Sequence, residues 1–438
     1  MVDTAKSTGR LAAFKRLLAH INESVLPDVA FATWDGETVP AAAPPDMPVV
    51  AFADEGAVAA LVRRPGFHTA LNLWVTGRID VRNGTVLDVV AHAPTLRGRA
   101  IRERIDKRLV LSTAAKFLFV PRGGPWPLES VRGDKARADG SAAANTENIQ
   151  FHYDLSNAFY ALFLDPEMIY SCGYFTDWNN DLATAQRDKL DIICRKLRLQ
   201  AGERFLDVGC GWGALICHAA QHYGVKAHGL TLSAQQLALA QEKIARLGLQ
   251  DRVTVELRDY GSLAGSFDKI ASVGMFEHVG IPNHQTYFLA INRLLEPGGL
   301  YLHHAITMRA PEYERMRRGK SPAVGWVQRY IFPGGLVDYV GMTTGNLERC
   351  GFEVHDVEGL REHYARTTRF WHDRLYANRE AAEREVGSVT TRLWLIWLAG
   401  STITFVRGSA CIFQTLVSKR ARGPSGLPPT RADLYAPK

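Results

Sequence analysis

A glycine-rich turn between an apolar strand and a helix constrains the fold of this chain more than any other feature. The segment FLDVGCGWG, residues 205–213, passes from an apolar run directly into Gly209-x-Gly211-x-Gly213. A helical period follows over residues 214–223. Glycines are favoured here because the chain turns sharply and its backbone must approach a ligand closely. A strand that leads through such a turn into a helix predicts a doubly wound α/β sheet.

Apolar runs and helical periods alternate beyond the turn, as is typical of a parallel sheet with crossover helices. Ser233 is predicted to cap the second helix, over residues 233–247. Further strands are predicted at residues 225–230, 253–257, 270–273, 300–306 and 352–357, and helical sequence from there to about residue 418. The predicted fold class is α/β, with a doubly wound Rossmann-like domain and a smaller N-terminal α+β domain.

A segment rich in Gly, Pro, Ala, Ser and charged residues, 121–148, has almost no apolar run and is predicted to be a linker. It would separate an N-terminal domain, residues 1–120, from a C-terminal domain, residues 149–438. The N-terminal domain is predicted to contain strands at VAFATW and at residues 71–81, and a charged helix over residues 97–117. It should open with an amphipathic helix whose apolar stripe is Leu11, Phe14, Leu17, Leu18 and Ile21.

The formal charge of +7 suits an anionic partner, either a phospholipid surface or nucleic acid. Residues 315–320 (RMRRGK) concentrate the charge, and Lys419, Arg420 and Arg422 form a second cluster. Each cluster alone is more simply a solvated face. Six cysteines form no CxxC pair and no zinc spacing, and the start of the chain lacks the apolar core of a secretory leader. These observations predict reduced thiols and a cytoplasmic location.

One apolar segment, LWLIWLAGSTITFV at residues 393–406, spans 14 residues. A membrane-spanning helix needs roughly 20 residues. We therefore expect a buried helix here, and only peripheral association with a membrane.

The glycine turn also limits the class of cofactor that the fold can bind. Its GxGxG spacing, with Asp207 just before it, differs from the GxGxxG of dinucleotide-binding folds, and no P-loop GK[ST] is present. The pattern resembles motif I of the class I S-adenosylmethionine (SAM) methyltransferases, which contact the methionine part of the cofactor there. The second strand ends without the acidic residue that most such enzymes use to hold the ribose hydroxyls. Amide and hydroxyl groups in the following segment, GLTLSAQQ, could serve instead.

Four further segments resemble the cyclopropane-fatty-acid synthase and mycolic-acid cyclopropane synthase family. They are HYDLSN (152–157), YSCGYF (170–175), GMFEHVG (274–280) and YIFPGG (330–335). The resemblance extends from about residue 148 to the C-terminus, in the family's order and spacing. It implies an enzyme that transfers a one-carbon unit from SAM to the cis double bond of an unsaturated acyl chain, which is expected to be part of a phospholipid.

The resemblance also implies a site. A bicarbonate ion beside the transferred methyl group would be bound by Cys172, Glu277, His304 and Tyr364, with the backbone near Ile306. No metal is implied. Taken singly, Cys172 and His304 are more simply core residues, whereas a buried carboxylate such as Glu277 is costly without a partner. SAM would contact Tyr170, Ser171, Asp207, Gly209, Gly211, Gly213, Thr231, Leu232, Gln236 and Tyr260.

The implied chemistry explains such a site. An alkene is a weak nucleophile, so the methyl donor must be held in line, and positioning can supply roughly 7–11 kcal/mol of the barrier. The resulting carbocation needs a closed apolar pocket. A base then removes a proton so that the ring closes, and Glu277 is expected to orient that base through a shared proton or through His304. Aromatic candidates for stabilising the cation are Tyr170, Tyr174, Phe175 and Phe276.

Other functions fit less well. A hydride shift before proton loss would give a methylene or methyl-branched chain, including a furan-fatty-acid precursor, but the intact base-holding set favours cyclopropane formation. Methylation of a soluble small molecule would not need that set. A lipid-binding protein without catalysis should have lost the glycine turn or Glu277, and a nucleic-acid methyltransferase would need a motif such as NPPY where this chain has GMFEHVG. The N-terminal domain is expected to engage a phospholipid surface, to form a homodimer or to have a purely structural role.

Overall fold

The computed structural model describes residues 4–92, 103–130, 155–318 and 337–436. Most of the predicted linker, the first half of the HYDLSN motif and all of the YIFPGG motif lie outside these residues. The chain divides into two compact units, one of Met1–Arg132 with Gly387–Ala399 and the other of Gly133–Val386 with Gly400–Lys438.

The N-terminal unit contains a four-stranded sheet with the order β2-β1-β3-β4, in which β1 and β3 are parallel. The predicted amphipathic helix is confirmed, because Phe14 and Leu18 pack with Phe31 and Phe117 in the core of this unit. The strands are β1 (Ala30–Ala32), β2 (Thr38–Val39), β3 (Val49–Phe52) and β4 (Ile79–Arg82). The helices are Thr4–Ser24, Glu55–Arg63, Phe67–Val75, Val86–His92, Lys107–Phe117 and Pro127–Ser130.

The strand predicted at residues 71–81 is wrong over most of its length. A helix, Phe67–Val75, covers its first part, and the helix is followed by Gly77 at φ +69° before β4 begins. The alternation of apolar and polar residues suggested a strand, but the polar member Asn72 is fully buried. Its side-chain oxygen accepts a hydrogen bond from the backbone N–H of Leu128 at 3.1 Å, so a tertiary contact satisfies it inside a helix.

The predicted domain boundary puts residues 387–399 in the C-terminal domain, but they pack with the N-terminal unit. The indole N–H of Trp74 donates to the carbonyl oxygen of Arg392 at 2.8 Å, and the Arg392 guanidinium lies 4.4 Å from the Trp74 ring centroid. The same guanidinium donates to Asp80 at 2.9 Å. A cation over an aromatic face and an ion pair therefore hold this segment in place.

The apolar segment at residues 393–406 belongs to the helix Ser388–Val406. Within the described ranges it is the one helix long and apolar enough to cross a membrane, and 39% of its most apolar 18-residue window is buried. The residues that are almost fully buried include Trp394, Leu398 and Phe405.

The C-terminal unit is built on a seven-stranded sheet with the order β10-β11-β9-β8-β5-β6-β7, which confirms the α/β class. Strands β5 to β9 pair in parallel, and β11 pairs antiparallel with both β9 and β10. The strands are β5 (Arg204–Val208), β6 (Lys226–Thr231), β7 (Val253–Leu257), β8 (Phe267–Val273), β9 (Leu295–Met308), β10 (Phe352–Gly359) and β11 (Ala410–Lys419).

Helices flank this sheet. The predicted cap is confirmed, because the Ser233 side chain accepts from the backbone N–H of Gln236 at the start of the second crossover helix. The helices are Asn157–Ala161, Leu182–Lys196, Ala214–Tyr223, Ala234–Arg246, His284–Leu294, Ala310–Arg317, Val340–Arg349, Arg361–Ala377, Arg379–Val386 and Ala432–Tyr435, with single 3-10 turns at Tyr260–Ser262, Phe276–His278 and Ile281–Asn283.

The prediction of helix up to residue 418 is wrong for the last segment. The helix Ser388–Val406 ends before Gly408, whose φ is +67°, and the chain then enters β11. This strand lies between β9 and β10, so its backbone groups are hydrogen-bonded on both sides. Pairing inside a sheet overrides the local helical tendency, because β-strand preference reflects neighbours more than intrinsic bias.

Two apolar layers cover the faces of the sheet. Phe205 packs with Ile216 of the helix Ala214–Tyr223 on one face, and Leu206 packs with Ile291 of the helix His284–Leu294 on the other. Successive strand residues point to opposite faces, so β5 contributes to both layers. The carboxyl end of β5, where the glycine turn begins, is left as the point where a ligand can enter.

We predict that Ile291→Ala destabilises the protein by about 3 kcal/mol, because Ile291 is fully buried and its truncation leaves a cavity. Urea unfolding followed by tryptophan fluorescence measures this change. Leu289 lies on the same helix but is 56% exposed, so Leu289→Ala should stay within about 0.5 kcal/mol of the parent protein. Equal losses for both variants would contradict the packing described here.

Candidate functional site

The glycine turn adopts backbone angles that only glycine accepts easily. Gly209 has a φ of +85°, and a Cβ atom added there would lie 2.8 Å from Cγ of Met275. Its backbone N–H donates to the carbonyl oxygen of Leu230 at 3.0 Å. Gly213, at φ +84°, begins the next helix, and a Cβ there would lie 3.1 Å from Cβ of Ala240. Close packing of the backbone therefore explains both glycines.

A cavity of about 460 Å³ opens at the carboxyl ends of the central strands. This volume suits a small-molecule ligand, since such pockets span roughly 300–1,000 Å³. Gly213, although predicted to contact SAM, does not line it and serves the helix packing instead. The other nine residues predicted to contact SAM all line the cavity: Tyr170, Ser171, Asp207, Gly209, Gly211, Thr231, Leu232, Gln236 and Tyr260.

Asp207 and Lys189 give the cavity its electrostatic character. Burial raises the pKa of the Asp207 carboxyl to about 7, an effect that the positive charge of Lys189 opposes. Burial likewise lowers the pKa of Lys189 to about 8, and its ammonium donates to the Ser171 hydroxyl at 2.9 Å. One Asp207 oxygen is buried and has no hydrogen-bond partner in the part of the chain that the structure describes. A buried acceptor of this kind fits a ligand that carries a donor group.

Thr231 and Gln236 replace the acidic residue that is missing from the end of β6. Both are buried, and the Thr231 hydroxyl donates to the side-chain oxygen of Gln236 at 2.7 Å. The backbone N–H of Ser233 donates in turn to the Thr231 hydroxyl at 3.2 Å. These bonds fix an amide and a hydroxyl at the cavity wall, where they could bind ligand hydroxyls.

Glu277 holds the backbone beside the cavity. One of its carboxylate oxygens accepts the backbone N–H of Ile306 at 2.7 Å, and the other is buried with no partner among the described residues. Burial raises the pKa of this carboxyl to about 7, although the hydrogen bond from Ile306 favours the charged form. The unpaired oxygen therefore faces a position where a hydrogen-bond donor would be strongly held.

Cys172 and Tyr364 pack in one apolar cluster with Ile306. The Cys172 thiol is fully buried and donates to the carbonyl oxygen of Gly173 at 3.2 Å. Burial raises the pKa of this thiol, so it stays protonated. The Tyr364 ring lies 4.6 Å from the ring of Phe405, centroid to centroid. The structure thus places both residues around the backbone group that Glu277 holds.

His304 precedes Ile306 by two positions on β9, so the two side chains share one face of the sheet. Its Nδ1 lies 3.1 Å from the Gln414 side-chain nitrogen, and its Nε2 is buried without a partner in the described ranges. Burial, followed by the charges of Lys189 and Lys196, lowers the pKa of His304 well below its usual value, so the ring is neutral.

The four residues predicted to bind the ion therefore gather at one place. None of the four lines the cavity itself, but residues next to them in the sequence do. These are Ser171, which precedes Cys172, and Met275 and His278 on either side of Glu277. The predicted ion set and the cavity are thus adjacent parts of one site.

The aromatic residues predicted to stabilise the carbocation differ in where they lie. Tyr170 lines the cavity and lies 4.9 Å from the ring of Trp371, which is also 5.9 Å from Tyr364. Phe276, in contrast, is buried in the core, 5.0 Å from the ring of Phe288. It is not placed to face an acyl chain, because the helix His284–Leu294 covers it.

The sequence patterns did not predict several residues of the site. Lys189 and Lys196 lie on the helix Leu182–Lys196 among its buried residues, where apolar side chains are expected. A lysine at a core-facing position of a helix is unusual, and this pattern could have identified both residues from the sequence. Gln414 had no such signal, because its strand was predicted as helix. The cavity is also lined by Trp212, Arg258, Asp259 and Asn283.

Comparison with known proteins identifies the family of the chain. The family described as mycolic acid cyclopropane synthetase matches residues 141–415. A probable fatty acid methyltransferase of Mycobacterium tuberculosis, Rv3720, is 38% identical over 84% of this chain and 86% of its own length. A probable fatty acid methyltransferase of Pseudomonas putida is 43% identical over 66% of this chain and 74% of its own length.

Solved structures give the same result. The cyclopropane synthase MmaA2 from Mycobacterium tuberculosis is 32% identical, with a TM-score of 0.60, over 63% of this chain and 98% of that one. The mycolic acid cyclopropane synthase CmaA1, in complex with SAH and CTAB, is 35% identical with the same TM-score and the same coverage of both chains. The resemblance inferred from the motifs is thereby confirmed, and the chain belongs to the mycolic acid cyclopropane synthetase family of SAM-dependent enzymes.

Proposed function

We propose that this protein transfers a one-carbon unit from SAM to the cis double bond of an unsaturated fatty acyl chain in a phospholipid, forming a cyclopropane ring with the help of bound bicarbonate. The observation that carries the proposal is that the site contains two buried polar atoms for which the described residues provide no hydrogen-bond partner. One is the carboxylate oxygen of Glu277 and the other is Nε2 of His304.

The cavity residues fit SAM, which supplies an electrophilic sulfonium methyl group when bound. The unpaired oxygen of Asp207 suits the ammonium of the methionine part, and the glycine turn lets the backbone approach it. Thr231 and Gln236 present a hydroxyl and an amide suited to the ribose hydroxyls. Tyr260 lines the same cavity, 5.0 Å from the ring of Tyr287, and would contact the adenine.

The ion set fits bicarbonate, which supplies a base when bound. The Glu277 oxygen needs a donor, and a bicarbonate ion has one hydroxyl to give. The Tyr364 hydroxyl and the His304 ring are donors suited to its other oxygens, and the Cys172 thiol could join them by turning away from the carbonyl oxygen of Gly173. Buried ammonium groups on Lys189 and Lys196 add positive potential nearby, since both act on the pKa of His304. Such a potential favours an anion.

The surrounding residues exclude water from the reacting centre. Tyr170, Trp371, Tyr364 and Phe405 form a continuous aromatic wall, with centroid separations of 4.6 to 5.9 Å between neighbours. Aromatic faces stabilise a cation electrostatically without reacting with it. A wall of this kind supports a reaction that passes through a carbocation on the acyl chain.

A second candidate product is a methylene or methyl-branched chain. It is favoured by the names of the two relatives that cover most of this chain, both of which are called fatty acid methyltransferases. The cyclopropane forms when the transferred methyl group loses a proton directly and the ring closes, whereas the methylene product forms when a hydride first shifts to the cationic carbon and a proton is lost afterwards. The ion set decides between them in our proposal, because it places a base beside the new methyl group.

Access to phospholipid is proposed to come from a surface of the N-terminal unit. Three large apolar side chains are exposed at the helix Lys107–Phe117 and just after it: Leu111 at 70%, Leu118 at 45% and Phe119 at 95%. Exposed cations on the same helix include Lys107, Arg108 and Lys116. Apolar side chains beside basic ones are typical of protein surfaces that bind anionic bilayers. Peripheral membrane association at the cytoplasmic side is therefore part of the proposal.

Incubation with SAM and vesicles of cis-monounsaturated phosphatidylglycerol should add one CH2 to the acyl chains, detected by gas chromatography and mass spectrometry. A product that survives mild hydrogenation intact is the expected cyclopropane. A product that takes up hydrogen would replace it with the methylene-forming alternative. Absence of any mass gain, with SAM binding confirmed, would contradict the proposed acceptor.

Glu277→Gln should reduce turnover by roughly 100-fold or more while leaving SAM affinity by calorimetry unchanged. The amide oxygen must accept from the Ile306 N–H, so the amide nitrogen would face the ion and present a donor where an acceptor is needed. Glu362→Gln is the matched control, because Glu362 loses the same charge on a side chain that is 65% exposed. Full turnover by Glu277→Gln would remove Glu277 from the site.

Replacing Leu111 and Phe119 together by serine should weaken binding to anionic vesicles by roughly 10-fold or more, because each large apolar side chain contributes about 1.5–3 kcal/mol when buried. Vesicle flotation measures the change. Leu289→Ser, on an exposed side chain of the catalytic unit, is the control and should bind as the parent does. Unchanged binding by the double variant would exclude this surface.

A further inference from the structure

A chain of buried polar side chains leads to His304 from the side away from Glu277. Lys196 is the last residue of the helix Leu182–Lys196 and is only 1% exposed. Its ammonium pairs with Glu358 and also donates to the side-chain oxygen of Gln414 at 2.6 Å. Glu358 in turn accepts from the hydroxyl of Tyr174 at 3.2 Å. The charge of Lys196 is therefore compensated inside the fold.

This chain fixes the direction of the Gln414 amide. An ammonium group has donors only, so the amide must turn its oxygen toward Lys196. The amide nitrogen is then the atom 3.1 Å from Nδ1 of His304, and it can only donate. Nδ1 must accept, and in a neutral ring the single proton then lies on Nε2. Gln414 is itself 1% exposed, so water does not compete for these bonds.

The proton on Nε2 makes His304 a hydrogen-bond donor toward the ion site. Nε2 is buried, and no described residue partners it. It lies on the face of β9 that also carries Ile306, whose backbone N–H is taken by Glu277. An N–H donor on His304 and a carboxylate acceptor on Glu277 together complement an oxyanion that carries one hydroxyl. With the proton on Nδ1 instead, two acceptors would face that ion.

We propose that Lys196 and Gln414 are positioning residues that hold His304 as its Nε2–H tautomer, so that His304 donates a hydrogen bond to the oxyanion bound beside Glu277. The inference rests on the proposed function for the identity of the ion. The tautomer itself can be tested without any turnover.

The first test is spectroscopic. Protein labelled with 15N-histidine, studied by long-range 1H–15N correlation, reports which ring nitrogen carries the proton, and the signal missing from His304→Asn assigns His304. The parent protein should show the Nε2–H form. Gln414→Glu, which keeps the shape but offers only acceptors, should move the proton to Nδ1. A parent protein in the Nδ1–H form, or a Gln414→Glu spectrum identical to it, would overturn the proposal.

The second test is kinetic. Gln414→Glu should lower kcat roughly 10- to 100-fold, by analogy with the loss seen when the hydrogen-bond partners of metal-binding histidines are removed. It should also raise the bicarbonate concentration needed for half-maximal rate, with SAM affinity unchanged. Lys196→Met leaves the amide free to rotate and should give a mixture of both tautomers with an intermediate rate. A loss of rate with unchanged bicarbonate dependence would count against positioning and for a merely structural role.

Thr415→Val provides the matched control. Thr415 is the next residue of β11, is 1% exposed, points to the other face of the sheet and has a hydroxyl without a partner among the described residues. It should leave the tautomer, the rate and the bicarbonate dependence unchanged, and losses equal to those of Gln414→Glu would contradict the proposal. If the parent protein turns over no unsaturated lipid, the proposed function fails, while the spectra still decide the tautomer.

Discussion

The candidate ion site depends on the hydrogen bond between the Ile306 N–H and Glu277. This bond uses one carboxylate oxygen to satisfy a strand that would otherwise have a bare N–H beyond the end of β8. It leaves the second oxygen buried next to the cavity, with no partner in the described part of the chain. A buried carboxylate is tolerated because the backbone bond offsets part of its desolvation. Structural and functional demands thus meet on one side chain, and the rest of the site is arranged around it.

Burial shifts the pKa values of the acidic and basic groups around the site toward their neutral forms. Burial disfavours the charged form of every group, so it raises the pKa of Asp207 and Glu277 to about 7 and lowers that of Lys189 to about 8. Lys189 and Asp207 are close enough to compensate each other, since Lys189 opposes the shift of Asp207. A pocket of this kind binds charged ligands through groups that are already desolvated, which avoids much of the reorganisation that water would require.

The sheet order explains how distant segments reach one place. Residues of the site come from the segment before the helix Leu182–Lys196, from the end of β8, from β9 and from β11. Because β11 lies between β9 and β10, Gln414 is directly paired with His304, although 110 residues separate them in the chain. The antiparallel insertion of β11 therefore brings the positioning residues to a histidine on the neighbouring strand.

The amino-acid sequence predicts the α/β class, the glycine turn with its following helix, and the cap at Ser233 from local rules, since φ at glycine, helix capping and the meeting of parallel strand ends are decided within a few residues. The nine predicted residues that line the cavity came instead from the family resemblance of the motifs. The tertiary structure alone decided that residues 71–75 are helical, that β11 is a strand, that Gly213 serves packing, and that Phe276 lies in the core. It also placed Lys196 and Gln414 behind His304. Each of these outcomes depends on partners far away in the chain, and burial against such partners overrides the weak local preferences that a sequence pattern expresses.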